Sequence, residues 1–317
     1  MKISEVEWPT AILILVVYLG LHLNCLYIYE ISSTLFIIFL AFLIALHSSI
    51  SHEILHGHPT KNDFVNSIFV FPAVGIFIPF LRFKDTHLEH HKNETLTDPY
   101  DDPETNFIDP KTWESLGFFA QFILNVNNTL LGRMLIGPII SQYKFIKSEI
   151  ELLFSGNRRV FLAWVLHIFG FTIAYYFFIL SYGIGFGHWI IGAYAALSIL
   201  KIRTFLEHRA FDRVRGRSVI IEDRGILSLI FLNNNFHAVH HIHPKVPWYK
   251  LPRIFKDNKR RYLTLNEYYY FKSYLDVFKT YFFVSKDPVA HPYYAKTSEA
   301  YKNNKCTKVF HRISPSD

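Results

Sequence analysis

The feature that most limits how this chain can fold is the length of its charge-free runs. Trp8 to Tyr29 and Ile31 to His52 each run 22 residues without Asp, Glu, Lys or Arg, and Val160 to Leu200 runs 41. A helix rises about 1.5 Å per residue and a bilayer core takes about 20 residues. The third run therefore holds two crossings, with Tyr182, Gly183, Gly185 and Gly187 supplying the turn. The pattern predicts four transmembrane helices over residues 9–29, 33–52, 160–181 and 187–203. A large soluble helical protein is the alternative. It is set aside because buried helices of soluble folds seldom run so far without a charge.

Topology follows from the flanks. Arg158 and Arg159 precede the third span, Lys201 and Arg203 follow the fourth, and the turn between them is uncharged. Positive residues stay cytoplasmic, so spans three and four form a hairpin with both ends inside. The two spans before them place the N-terminus inside as well. The first run has no small-residue cleavage site after it and reads as an anchor, not a removed signal peptide. Phe64 to Leu81 is uncharged but broken by Pro72 and Pro79, and Ser115 to Gly132 carries Gln121, Asn125, Asn127 and Asn128. These two stretches are expected at the membrane surface or dipping into it, with apolar faces in lipid. Residues 53–159 and 204–317 are otherwise expected to build a helical cytosolic cap. The expected fold class is all-α: one integral membrane domain over 1–317, multi-pass, with the C-terminus cytoplasmic.

Composition removes other classes. Half of the chain is hydrophobic, which excludes intrinsic disorder. Two distant cysteines, Cys25 and Cys306, exclude a disulfide scaffold. A net charge of +7 without a recognition motif gives no reason to expect nucleic acid.

Against this apolar background stand 17 histidines. His22, His167 and His188 are single histidines in or near spans and read as hydrogen-bonded structural residues. His291 and His311 lie in the polar tail, and His47, His58 and His243 flank the clusters. The other nine form a pattern. His52 and His56 are spaced i, i+4; His87, His90 and His91 follow HxxHH, as do His237, His240 and His241; His208 stands alone after the fourth span. Residues three or four apart share a helix face, so each cluster presents its imidazoles together. The charge argument, made without these residues, puts all four segments on the cytosolic side.

Neutral imidazole suits iron, zinc, copper and nickel. One ion takes roughly four to six ligands, so nine convergent histidines imply two metals. Iron fits a dioxygen reaction, because zinc has no redox chemistry. His52 to His56 also matches HExxH, in which two histidines bind zinc and Glu53 would be the general base of a protease. That reading leaves both HxxHH boxes unused. The simpler role for Glu53 is to orient a histidine. Asp98, Asp101, Asp102 and Glu104 after the second box are candidates for the same task, as are Glu89 and Glu207 beside ligands. The alternative for the loop acids is a solvated stretch spaced by Pro99 and Pro103. Asn234 and Asn235, before the third box, are further candidates.

These motifs resemble those of the membrane-bound, histidine-box di-iron enzymes, in particular bacterial fatty acid desaturases. The similar segments are HEILHG at 52–57, THLEHH at 86–91 leading into LTDPYDDPET at 96–105, RTFLEHR at 203–209, and NNNFHAVHHIHPKVPWYKLP at 233–252. They occur in order over about residues 33–255. The first box has Glu53 where many desaturases have aspartate. RTFLEHR and the PWY stretch also look like carotenoid ketolases, and the same scaffold carries alkane and lipid hydroxylases. The resemblance implies two irons on His52, His56, His87, His90, His91, His208, His237, His240 and His241. It implies a dioxygen-dependent attack on an unactivated C–H bond of a membrane lipid or carrier-bound acyl chain, giving a double bond or, on the alternative reading, an alcohol or ketone. The aromatic stretch Phe69 to Phe80 is either a substrate-tunnel wall or membrane-interface packing. No HPGG haem segment or cysteine cluster is present, so electrons are expected from a separate ferredoxin, rubredoxin or cytochrome b5. The basic group Arg253, Lys256, Lys259, Arg260 and Arg261 is a candidate dock for an acidic carrier, against lipid headgroup contact. In a bacterium the implied location is the inner membrane.

Overall fold

A computed structural model describes residues 6–92 and 95–294; Cys306 and His311 lie outside the described residues. Four helices are long and apolar enough to cross a membrane: Trp8–Ile31, Ser33–Leu55, Arg158–Leu180 and Phe186–Leu206. Local chemistry sets their starts. Pro9 occupies the first turn of the first span, where a missing N–H costs nothing. The Ser32 hydroxyl accepts from Leu35 N, and the Asn157 side chain accepts from Arg159 N and Val160 N. The turn between the third and fourth spans passes through Gly183 at φ +63°, a backbone that favours glycine.

The second and fourth spans form the centre. Each buries 44% of its apolar window, against 28% and 22% for the first and third. Gly192 allows this approach, because a Cβ there would lie 2.6 Å from Leu40 Cδ2. Ile12, Leu15 and Leu19 of the first span and Phe161, Ile168 and Phe169 of the third stay exposed. Such a surface is stable only against hydrocarbon.

Both central spans outrun the predicted bounds. The second continues to Leu55, not residue 52, and the fourth to Leu206, not residue 203. The reason is tertiary: Ser49 to Leu55 are all buried, as are Ile202, Arg203, Phe205 and Leu206. Helix continues into the cap because the cap covers it.

Within the proline-broken run Phe64 to Leu81, the stretch from 69 to 79 dips inward. It turns in among the spans, where Val70 and Val74 are buried, while Phe64 and Ile68 before it and Ile78 within it stay exposed. Irregular backbone in such a place needs its polar groups satisfied, at several kcal/mol per group left open. Tyr18 donates to Phe69 O, Trp189 Nε1 to Val74 O, His167 Nε2 to Ile76 O, and Ala73 N to Gly170 O. Gly170 is required here, since a Cβ would sit 2.1 Å from Phe71 O. Helix Phe118–Asn127 behaves differently: Phe118, Phe119 and Phe122 are exposed, while Asn127 is buried.

The cap is made of mostly short helices, the 18-residue Gly137–Phe154 aside, and, among the described residues, one two-residue parallel ladder, Ile220–Ile221 against Tyr270–Phe271. Phe231, Tyr269, Tyr274 and Val277 join the core of the spans. A smaller core of Phe236, Val239, Leu251, Phe255 and Tyr262 lies under the third histidine box.

Candidate metal centre

The nine histidines arrive from four directions. His52 sits in the last turn of the second span and His56 caps it. His87 and His90 are on helix Phe80–His90, with His91 as its cap. His208 follows the fourth span by two residues. His237, His240 and His241 are on helix His237–Ile242. The fold draws all nine together and sorts them into two groups. His52, His56, His87, His91 and His240 form one; His90, His208, His237 and His241 form the other. Within each group one ligand atom per residue lies within 4.8 Å of the rest. Each HxxHH box is split: its i, i+4 pair goes to one group and its i+3 residue to the other. The second and third boxes thus exchange His90 and His240.

Ring nitrogens meet at the centre of each group. His90 Nε2 is 2.9 Å from His208 Nε2, which is 3.0 Å from His237 Nε2, which is 3.0 Å from His241 Nε2. In the other group His91 Nε2 lies 3.0 Å from His87 Nε2 and 3.2 Å from His240 Nε2. His52 Nε2 and His56 Nε2 are buried with no hydrogen-bond partner. On two other histidines the outer nitrogens are engaged. His87 Nδ1 is 2.9 Å from Glu104 and His90 Nδ1 is 2.8 Å from Asp102. An ionised carboxylate only accepts, so both Nδ1 atoms carry hydrogen. Bare Nε2 lone pairs then face one another inward, and each close contact needs a proton or a cation between them. One cation per group relieves every contact at once. The donor set is all imidazole, which matches a transition metal and not magnesium or calcium.

Electrostatics disfavours the proton solution at most positions. Burial pushes His56, His208, His237, His240 and His241 well below the usual imidazole range, and neighbouring imidazoles push further. His91 is lowered to about 3, by burial first and then by His87 and His90. His90 goes the other way. Burial acts against its charge, but Glu104, Asp102 and Glu207 together overcome it and raise His90 to about 9. Glu104 is held below the usual carboxylate range: burial opposes this, and His87 and His90 outweigh it.

The expected orienting residues divide. Asp102 and Glu104 each hold a histidine, and Asn234 Oδ1 accepts from His237 Nδ1 at 3.1 Å. Glu207 is 3.9 Å from His237 Nδ1, but it pairs with Arg203 and accepts from Asn234 Nδ2, so it acts one step back. Glu53 is 3.9 Å from His52 Nδ1, too far for a hydrogen bond. It accepts from Trp248 N instead, pinning the loop after the third box to the end of the second span. Glu89, Asp98, Asp101 and Asn235 touch no histidine of the cluster. Glu89 pairs with Lys92, Asp98 caps its own loop at Tyr100 N and Asp101 N, and Asn235 donates to Ile221 O. Adjacency in sequence misled at Glu89, because consecutive helix residues point about 100° apart. Ser218, 3.2 Å from His208 Nδ1, was not foreseen. Nothing local marks it, since a bridge between His208 and Ser218 creates the contact.

The other described histidines have structural partners: His22 with Tyr182, His47 with Tyr18, His58 with Glu7, His167 with Ile76 O, His188 with Tyr29, His243 with Tyr262 and His291 with Thr97. A cavity of about 1880 Å³ lies beside the cluster and reaches Thr86, Asp102, Glu104, Glu207 and His208. Of the aromatic stretch, Phe77 and Ile78 reach cavity walls.

Four apolar helices closed by a histidine-lined cap define a multi-span membrane protein with a metal-binding architecture. The chain belongs to the fatty acid desaturase family, whose model matches residues 31–274, and is accordingly an oxidoreductase of a metal-dependent family. It is 26% identical over 225 residues to a beta-carotene ketolase of Paracoccus sp. (strain PC1), covering 69% of this chain and 75% of that one. It is 25% identical over 217 residues to a beta-carotene ketolase of Paracoccus sp. (strain N81106 / MBIC 01143), covering 67% and 72%. No solved structure matches.

Proposed function

We propose that the two histidine groups hold two irons and that the protein is a dioxygen-dependent desaturase, placing a double bond in a lipid acyl chain with electrons from an external carrier. The observation that carries this reading is the inward convergence of nine imidazoles with carboxylates behind two of them. When bound, the irons supply the reduction of dioxygen and the removal of hydrogen from an unactivated C–H bond.

The chain's own residues do the rest. Asp102 and Glu104 fix the tautomers of His90 and His87, so that their Nε2 atoms face inward. Asn234 and Ser218 orient His237 and His208. The buried ends of the second and fourth spans cover one side of the cluster. A protease is not favoured, because Glu53 is engaged by Trp248 and His52 and His56 join three further histidines.

The basic group Arg253, Lys256, Lys259, Arg260 and Arg261 is exposed and offers a dock for an acidic carrier. Positive flanks at the cap end of the spans support a cytoplasmic site. The beta-carotene ketolases among its relatives favour a second reading, oxygenation of a carotenoid. Mass spectrometry of total lipids after expression separates the two. New double bonds in acyl chains are expected. Unchanged fatty acids beside an oxygenated carotenoid would sink the desaturase reading.

A further inference from the structure

The last turn of a helix leaves carbonyls with no intrahelical partner. At the end of the fourth span, side chains from distant segments answer them. The Tyr269 hydroxyl donates to Leu206 O at 2.8 Å, and Lys286 Nζ donates to Phe205 O at 3.2 Å. Lys286 Nζ also donates to the carbonyl of His208, two residues beyond the span. Its side chain is 10% exposed, and its charge faces the Asp287 carboxylate at 3.2 Å. Burying an ammonium is costly unless it is well partnered. Its acceptors here are the end of a span, where the helix dipole favours a cation, and the backbone of a histidine of the cluster.

That histidine has the least regular footing of the nine. The other eight sit on helices or cap them. His208 stands on non-helical backbone, joined to Ser218 by an isolated bridge. Val219 N donates to Glu207 O, and Arg209 N donates to Arg217 O. Those bonds take the residues before and after His208; Lys286 takes the His208 carbonyl itself.

Lys286 belongs to a strap, residues 282–291, that lies beyond the segment matched by the family model. Leu131 N donates to Phe282 O, Lys286 N to Asn128 O, Ile108 N to Val289 O and His291 N to Ile108 O. At the far end His291 Nε2 is 3.2 Å from Thr97 Oγ1. Thr97 has φ +70°, an uncommon backbone for a β-branched residue. Its N–H donates to Asp102 Oδ2 at 2.8 Å, and Asp102 Oδ1 accepts from His90 Nδ1. The strap thus reaches His208 directly and His90 through Thr97 and Asp102. Both belong to the group of four. Among the described residues, no hydrogen bond of the strap goes to a histidine of the group of five.

We propose that Lys286 is a positioning residue for the group of four. By tying the Phe205 and His208 carbonyls together it fixes the turn between the fourth span and His208, and so the direction of that imidazole. The inference rests on the reading of the histidine groups as metal sites. A strap that merely fastened the cap would serve both groups alike, whereas this one serves one of them.

The test uses full-length protein in detergent, stripped of metal and titrated with Co²⁺ against a competing chelator. The unaltered protein is expected to take up about two ions in two steps, and His241→Ala identifies the step of the group of four by removing it. Lys286→Met is expected to weaken that step about 10- to 100-fold and to leave the other within about two-fold. Lys286→Gln keeps two N–H donors without the charge. It is the milder variant, expected to weaken the same step about 3- to 10-fold, and it decides the question where the Met variant does not fold. Lys286→Arg restores the charge and is expected to come within about three-fold of the unaltered protein. Equal weakening of both steps by the neutral variants overturns the proposal, as does binding of both ions as in the unaltered protein. Unaltered protein that takes up no Co²⁺ overturns the metal reading and this inference with it, so the two failures are told apart.

Discussion

The two histidine groups are built from the same two HxxHH boxes but are supported in different ways. Behind the group of four stand Asp102 on His90, Ser218 on His208 and Asn234 on His237. Behind the group of five, among the described residues, only Glu104 on His87 is within hydrogen-bond range of an outer nitrogen. His52 and His56 are aimed by the rigid end of a buried span, and His91 Nδ1 has no partner. An imidazole can be oriented by a hydrogen bond on its far side or by the stiffness of the helix that carries it. This protein uses mainly the first on one side of the cluster and mainly the second on the other.

The most severe test exploits neighbours that belong to different groups. His240→Ala and His241→Ala are each expected to abolish turnover. On the proposed two-iron reading, each should lower bound iron from about two to about one per chain, and the double change should remove nearly all of it, by metal analysis of purified protein. Loss of both metals from either single variant would merge the two groups into one. Next come the carboxylates. Asp102→Asn and Glu104→Gln are expected to weaken metal affinity about 10- to 100-fold, each chiefly in its own group. Chelator competition would read this, and equal weakening of both groups would remove the distinction.

Protons give a third test, on metal-free protein. An unfolded histidine titrates near pH ~6.5. His56, His91, His208, His237, His240 and His241 are lowered in the fold, so the unfolded chain binds more protons and stability falls as pH drops below about 6.5. His90, raised to about 9, has the opposite sign. Its contribution is full below about 6.5 and is lost as pH rises through the folded value. Metal binding to the group of four near neutral pH therefore releases a proton from His90. Calorimetry in buffers of different ionisation enthalpy measures this, and no proton release on filling the group of four would contradict it. The smallest expected effect is at Ser218→Ala, about 1 kcal/mol in metal affinity of the group of four, with the group of five unchanged.

Much of this was legible in advance because membrane spans and metal boxes are local patterns. Four spans follow from run length, and the nine histidines follow from i, i+3 and i, i+4 spacing with the lone His208. The re-entrant stretch from 69 to 79 was half legible. Pro72 and Pro79 showed that it could not span, but its cover of Tyr18, His167 and Trp189 comes from three different spans. Among the orienting residues, proximity in sequence pointed equally to Asp98, Asp101, Asp102 and Glu104. The loop's return path selected Asp102 and Glu104.

By itself, then, the sequence determined the class of architecture and which nine histidines converge, because hydrophobic run length and helical periodicity are properties of single segments. Tertiary structure alone decided how the donors are shared. Successive residues of a helix point about 100° apart, so His90 and His91, or His240 and His241, leave one box in different directions. Which group each joins depends on where the other helices stand.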